Sequence, residues 1–293
     1  VLAERAQGHL PGDRNYVIRI EPERVTGMRG RTRPGRLALL DALLCERERT
    51  LLTRLDGDYA RAVYVDVGLG DQPDTTFESA RSFRALSPQL RCIGVDIDAE
   101  RVERAERWHE PQVELRQGGF ALPLTASEPA RLVRAMNVLR NYPEAEVPAI
   151  HAQLCQPLLP DGLLVEGSSS RGAGNLCAHL IRKHAQGTRR EALCFASDFR
   201  EGFAPRMFRD CLPRDLRRHV RYGEAIAELL GAWQAAFERA RGVAPRRATP
   251  RQLFDDSACE LSARLPHGAL DLRWLPLGCL LWQSDHAGRS GAA

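Results

Sequence analysis

Val63-Tyr64-Val65-Asp66-Val67-Gly68-Leu69-Gly70-Asp71-Gln72-Pro73 is the stretch whose reading decides the fold. A run of β-formers ends in an acidic residue and breaks at once into glycines, so a buried strand is followed by a turn of nearly bare backbone. The next apolar run, Cys92-Ile93-Gly94-Val95, is tipped by Asp96. In an open α/β sheet, a glycine turn on one strand and a carboxylate at the end of its neighbour are the parts that hold a nucleoside. The glycines let backbone come close, and the carboxylate accepts hydrogen bonds from ribose hydroxyls.

Working outward, the alternation of apolar runs predicts strands at 62–67, 91–96, 112–116, 131–138, 162–167 and 192–197. Helices are predicted at about 75–87, 99–108, 143–158 and 174–185. This order implies an α/β fold with a Rossmann-like doubly wound, mainly parallel sheet and helices on both faces. Thr75-x-x-Glu78 reads as a capping box, and Asp98 as the cap of the following helix. Leucines recur at helical spacing between 37 and 55, a short strand is expected at 16–20, and the segment 203–241 is largely helical in pattern. Residues 242–250 read as a loop and 270–282 as a closing strand or hairpin.

Composition bounds the class. The hydrophobic share of 43% supports a real core, and no apolar run approaches the roughly 18 residues that span a bilayer. The polar start shows no signal-peptide core, and the missing initial Met suggests a processed or trimmed beginning, so a cytoplasmic protein without membrane association is expected. The eight cysteines stand singly, with no C-x-x-C pair, and read as small buried hydrophobes; no metal is expected. The net charge is +4, and Lys183 is the one lysine among 42 basic residues. Such one-sided arginine usage suggests a GC-rich gene and weakens any inference from arginine clusters to a nucleic acid. The cluster Arg29, Arg31, Arg33 and Arg36 reads first as a solvated surface and only second as a phosphate site.

Taken together, residues 60–200 resemble the class I S-adenosylmethionine-dependent methyltransferases. Asp66-Val67-Gly68-Leu69-Gly70 is similar to the first motif of that family, and Gly94-Val95-Asp96-Ile97-Asp98 to the second. The segment from Val113 to Phe120 corresponds to the adenine-side loop, Leu132 to Leu139 to the fourth strand and its rim, and Leu159 to Val165 to the fifth. Departures are Gln72 in place of a third glycine, and Gly119 where an acidic residue is common.

The resemblance implies S-adenosyl-L-methionine as cofactor and methyl transfer as activity. It implies that Gly68 and Gly70 pass close to the methionine part, and that Asp66 orders the loop and the cofactor's ammonium. Asp96 would take the ribose hydroxyls, with Ile97 on the adenine, Gly119 and Phe120 at its edge, and Asn137 near the transferred methyl. Asn137 and Glu166 are the candidate catalytic groups, although a side chain bonded to the adjacent loop is an equally good reading of Asn137. The histidines read as surface or capping residues. The expected organisation is an N-terminal segment 1–57 that covers the cleft, then a methyltransferase domain 58–293 with a helical insertion at about 200–250. Arg33 and Arg36 on one side, and Arg214, Arg217, Arg218 and His219 on the other, are expected to flank the mouth. The expected partner is a small-molecule methyl acceptor. The alternative is tRNA or other RNA, as in the guanine-N7 methyltransferases, whose proline-aspartate-proline-tryptophan motif is absent here. A nicotinamide-dependent oxidoreductase would need G-x-G-x-x-G, and Pro73 stands in the last place. A cofactor-binding protein that has lost activity is the remaining alternative.

Overall fold

The computed structural model describes residues 34–108, 110–170, 174–221, 223–245 and 247–283. The strand expected at 16–20 and Arg29, Arg31 and Arg33 lie outside these residues.

Five strands form a parallel core. They are β1 (Val63–Val67), β2 (Cys92–Asp96), β3 (Val113–Gln117), β4 (Ala130–Met136) and β5 (Leu158–Ser169), ordered β3-β2-β1-β4-β5. Helices α3 (Asp74–Leu86), α4 (Ala99–Ala105) and α5 (Val147–Cys155) follow β1, β2 and β4. Strands β1, β2 and β4 are buried along their whole length, which is why they read as unbroken apolar runs rather than alternating ones. This is the doubly wound α/β architecture expected from the sequence.

Beyond β5 the sheet becomes antiparallel. Strands β6 (Asn175–His184), β7 (Gly187–Ser197), β8 (Leu270–Asp271) and β9 (Cys279–Gln283) extend it to nine strands in the order β3-β2-β1-β4-β5-β6-β7-β9-β8. The helix expected at 174–185 is therefore strand β6. Its Leu176, Ala178 and Leu180 enter one core layer and Cys177 the other, so both faces are apolar and the segment carries no period-2 signal.

One face of the sheet is covered by α3 together with α1 (Ala38–Arg47) and α2 (Arg49–Thr53). Leu40, Leu43, Leu44, Leu51 and Leu52 pack with Phe83 onto Tyr64, Leu132 and Leu163. Burying each such leucine contributes roughly 1.5–3 kcal/mol. The helical part of the segment expected to cover the cleft thus belongs to the main core. Buried Arg131 staples the end of α2, donating to the carbonyls of Leu51, Leu52, Arg54, Tyr59 and Ala62.

On the opposite face, beside the antiparallel strands, lie α6 (Ala225–Val243), α7 (Pro250–Ser262) and a 3-10 turn at Pro205–Cys211. Phe195, Phe203, Phe208, Trp233 and Phe254 form its aromatic heart, with Trp233 stacked on Phe208 at 5.4 Å. Helix α7 was not expected. Its signal is present in Thr249-Pro250-Arg251-Gln252, a complete capping box with proline in the first turn. The box expected at Thr75 does not form: α3 begins at Asp74, and Glu78 accepts the Gly35 N–H at 2.9 Å instead. Asp98 caps α4 as expected, accepting from the N–H groups of Glu100 and Arg101. No described helix is long and apolar enough to cross a membrane.

Candidate nucleoside site

Strand β1 has β2 on one side and β4 on the other, so the chain winds outward in opposite directions from this point. In open sheets the crevice outside the carboxyl ends of such strands is the ligand position. The segments ending there are the glycine loop after β1, Asp96–Ile97 after β2, Gly118–Phe120 after β3 and Asn137–Tyr142 after β4.

The glycine loop is tied to the tip of β2. Gly68 donates its N–H to the Val95 carbonyl at 2.7 Å. Its φ of +91° and a Cβ position only 2.7 Å from Val138 Cγ2 both require glycine. Leu69 N–H donates to Asp96 Oδ2 at 2.9 Å and Asp98 N–H to Oδ1 at 3.0 Å, with the Arg101 guanidinium 3.8 Å from Oδ2. Burial raises the Asp96 pKa against the opposing pull of these amides and Arg101. Asp96 therefore shapes the glycine loop itself.

Ile97 is half-buried beside Gly119, where a Cβ would meet only the Ile97 Cδ1, at 4.0 Å. Backbone can approach a flat group closely here. Phe120 packs edge to face on Tyr142, ring centroids 5.1 Å apart, and both are buried. Burial raises the Tyr142 pKa, with the negative charges of Glu146 and Asp96 adding to it.

Asp66 lies elsewhere. Its carboxylate accepts from Arg134 Nε at 2.9 Å and Nη2 at 2.8 Å, and from the Thr76 hydroxyl at 2.6 Å. Arg134, fully buried in the middle of β4, also donates to Asp41 Oδ1 at 2.8 Å, to the Thr75 carbonyl at 3.2 Å and to the Ser79 hydroxyl. Asp66 thus belongs to a buried ionic network between the sheet and helices α1 and α3. Sequence reasoning missed Arg134, although one arginine inside the apolar run Leu132-Val133-Arg134-Ala135-Met136 was a visible anomaly.

Asn137 follows β4 with φ +64°. Its Oδ1 accepts the Ser169 N–H at 2.8 Å and its Nδ2 donates to Ser169 Oγ at 3.0 Å. The side chain thus clasps the tip of β5, and Arg36 Nε donates to the same Ser169 Oγ at 2.7 Å. Of the residues expected at the mouth, Arg214 donates to the Tyr142 carbonyl at 2.6 Å, and His219 pairs with Glu144 at 2.8 Å. Arg217 turns instead to the Asp210 carbonyl. Residues 214–219 are thereby pinned to the loop after β4.

Glu166 is 1% exposed, on the sheet face opposite the main leucine layer. It is paired in register with His179 of β6, and His151 Nε2 lies 3.2 Å from its Oε2. The structure does not bring it together with Asp96 and the glycine loop. His151 and His179 are interior rather than surface groups, because α5 and β6 turn them onto Glu166.

No protein-family model and no curated protein matches the sequence. Among solved structures, the chain is similar to magnesium protoporphyrin IX methyltransferase from Synechocystis with bound SAH. The identity is 18% over 45% of this chain and 54% of that one, with a TM-score of 0.34. It is also similar to human N-acetylserotonin methyltransferase in complex with SAM, at 21% identity over 44% of this chain and 35% of that one, TM-score 0.30. The matched region spans about half, or less, of each of these proteins. A likeness of this size assigns neither ligand nor reaction to the chain.

Proposed function

We propose that the chain is an S-adenosylmethionine-dependent methyltransferase acting on a small-molecule acceptor. The observation that carries the reading is Asp96 at the tip of β2, gripping the amide of Leu69 beside half-buried Ile97 and open Gly119. A carboxylate offers about four lone-pair directions, so Asp96 keeps acceptor capacity for ribose hydroxyls after binding two amides. The nucleoside half of the cofactor therefore fits the residues present: Asp96 on the ribose, Ile97 against the base, and Gly119 and Phe120 at its edge, with Gly68 and Gly70 beside the methionine part. The amino-acid half fits less directly, because Asp66 is committed to Arg134; the ammonium must be met by other groups of the loop 68–72.

The cofactor when bound supplies the electrophilic methyl, and the chain's task is alignment and exclusion of water. The left-handed Asn137, clasped to Ser169, fixes the floor between β4 and β5. Tyr142, held by Arg214 and packed on Phe120, closes the rim. A small acceptor is favoured over RNA because the arginines of the surface are widely matched with carboxylates, as in Arg91 with Glu114 and Glu128, Arg116 with Glu128, and Arg239 with Glu260. Such pairing leaves little field to steer a polyanion.

Calorimetric titration with S-adenosylhomocysteine tests the reading. Binding by the wild-type chain, lost in a folded Asp96→Ala variant and absent for NAD, supports it. Binding of NAD alone, or full affinity in Asp96→Ala, overturns it.

A further inference from the structure

Glu166 poses a problem that the nucleoside site does not solve. A carboxylate buried to 1% exposure needs a positive partner, because an uncompensated interior charge is costly. Its neighbours are imidazoles. His179 faces it across the β5–β6 pair, and His151 approaches from α5. Asp215, from the segment pinned over this face, accepts from His179 Nε2 at 2.9 Å, and Arg190 donates to the other Asp215 oxygen at 2.7 Å.

Two observations go beyond a hydrogen-bonded cluster. One donor atom each from Glu166, His179 and Asp215 lie within 4.8 Å of one another. In addition, His179 Nδ1 is buried and has no hydrogen-bond partner. His179 meets Asp215 through Nε2, so an ion shared by the two takes the place of the hydrogen between them and leaves the ring proton on Nδ1. A neutral imidazole is the ligand form of histidine.

We propose that Glu166, His179 and Asp215 bind one divalent transition-metal ion of the zinc type. One nitrogen and two carboxylate oxygens suit such an ion better than Mg2+, which demands a hydrated octahedron of oxygens. Two carboxylates neutralise its charge, which answers the burial of Glu166. Bonds of about 2.0–2.2 Å place tetrahedral ligands roughly 3.4 Å apart, so the three groups close on the ion by side-chain rotation. His151 is a positioning residue that holds the outer oxygen of Glu166. Asp215 and Arg190, at 18% and 40% side-chain exposure, mark the way in. The ion ties β5 and β6 to residues 213–219, the same segment that grips Tyr142 through Arg214.

The test uses the full chain stripped with chelator and then dialysed against Zn2+ or Co2+. One ion per chain is expected, with the intense visible bands of Co2+ in low coordination and a rise in Tm. Glu166→Gln, a near-isostere, and His179→Gln should each weaken Zn2+ binding more than tenfold. His151→Gln should weaken it about 10- to 100-fold and alter the Co2+ spectrum. His267→Gln is the control, since His267 is exposed in the turn before β8; that variant should bind as wild type. Circular dichroism establishes that each variant is folded, and Glu166→Gln carries the test if His179→Gln does not fold. Absence of stoichiometric metal in the wild-type chain overturns the proposal. So does retention of the ion by folded Glu166→Gln, or its loss in His267→Gln.

Discussion

Arg134 and Asp66, register partners on adjacent strands β4 and β1, meet side by side in a bidentate pair with N···O distances of 2.8 and 2.9 Å, and neither reaches solvent. The pair anchors a network that extends to Asp41 on α1 and to Thr75, Thr76 and Ser79 on α3. Removing one member of such a pair leaves buried charge uncompensated. Arg134→Met should therefore destabilise the chain by about 3–5 kcal/mol in urea unfolding. A loss below about 1 kcal/mol would show that the two carboxylates are not held as ions.

The same network sets a pH dependence. Burial raises the Asp41 pKa from 3.8 to about 6, against the opposing effects of Arg134 and Ser79. Between these two values the folded chain holds a proton that the unfolded chain has released, so stability falls as pH rises through the window. Below it both states are protonated and the effect vanishes; above it the full cost of ionising Asp41 is present. Urea unfolding of wild type against Asp41→Asn, measured across about pH 4 to 7, should show the wild type losing ground as pH rises. A difference that grows in the wild type's favour would refute the assignment.

Gly68 should tolerate no side chain. Gly68→Ala meets both the φ of +91° and Val138 Cγ2 at 2.7 Å. It should lower stability by about 1–3 kcal/mol and weaken S-adenosylhomocysteine binding at least tenfold. Adding Val138→Ala removes the collision but not the backbone strain, so only part of the stability should return. Full recovery of stability in the double variant would show that the backbone conformation carries no cost.

Asn137 offers a residue-resolved readout. In Asn137→Ala the Ser169 N–H loses its acceptor and the left-handed backbone loses a residue type that tolerates it. Amide exchange at Ser169 should accelerate more than tenfold, whereas exchange in the middle of β5 should hold. Unchanged protection at Ser169 would mean that the clasp does not form in solution.

How much of this was legible in the sequence depended on whether a segment carried a contrast. β1, β2 and β4 were found because apolar runs ended in turn residues. α4 was found because Asp98 both stops a strand and caps a helix. β6 was misread because Leu176, Cys177, Ala178, Leu180 and Ile181 are buried on both faces, and such a run has no period to separate strand from helix. α7 was overlooked although its capping box was written out at Thr249. At the candidate site, Asp96 and the glycines could be placed from local pattern. The commitment of Asp66 could not, because its partner stands 68 residues away on another strand. The cluster at Glu166 was equally hidden, since its four members come from α5, β5, β6 and a connecting segment.

The antiparallel extension also decides how the molecule meets its own copies. An open sheet ends in two rows of unpaired backbone groups, which invite edge-to-edge aggregation. On one flank the outermost strand, β8, is only two residues long. On the other, β3 carries exposed Glu114 and half-buried Arg116, both charged and locked to neighbours by ion pairs. Among the described residues, both margins of the nine-stranded sheet are thus poor templates for a foreign strand.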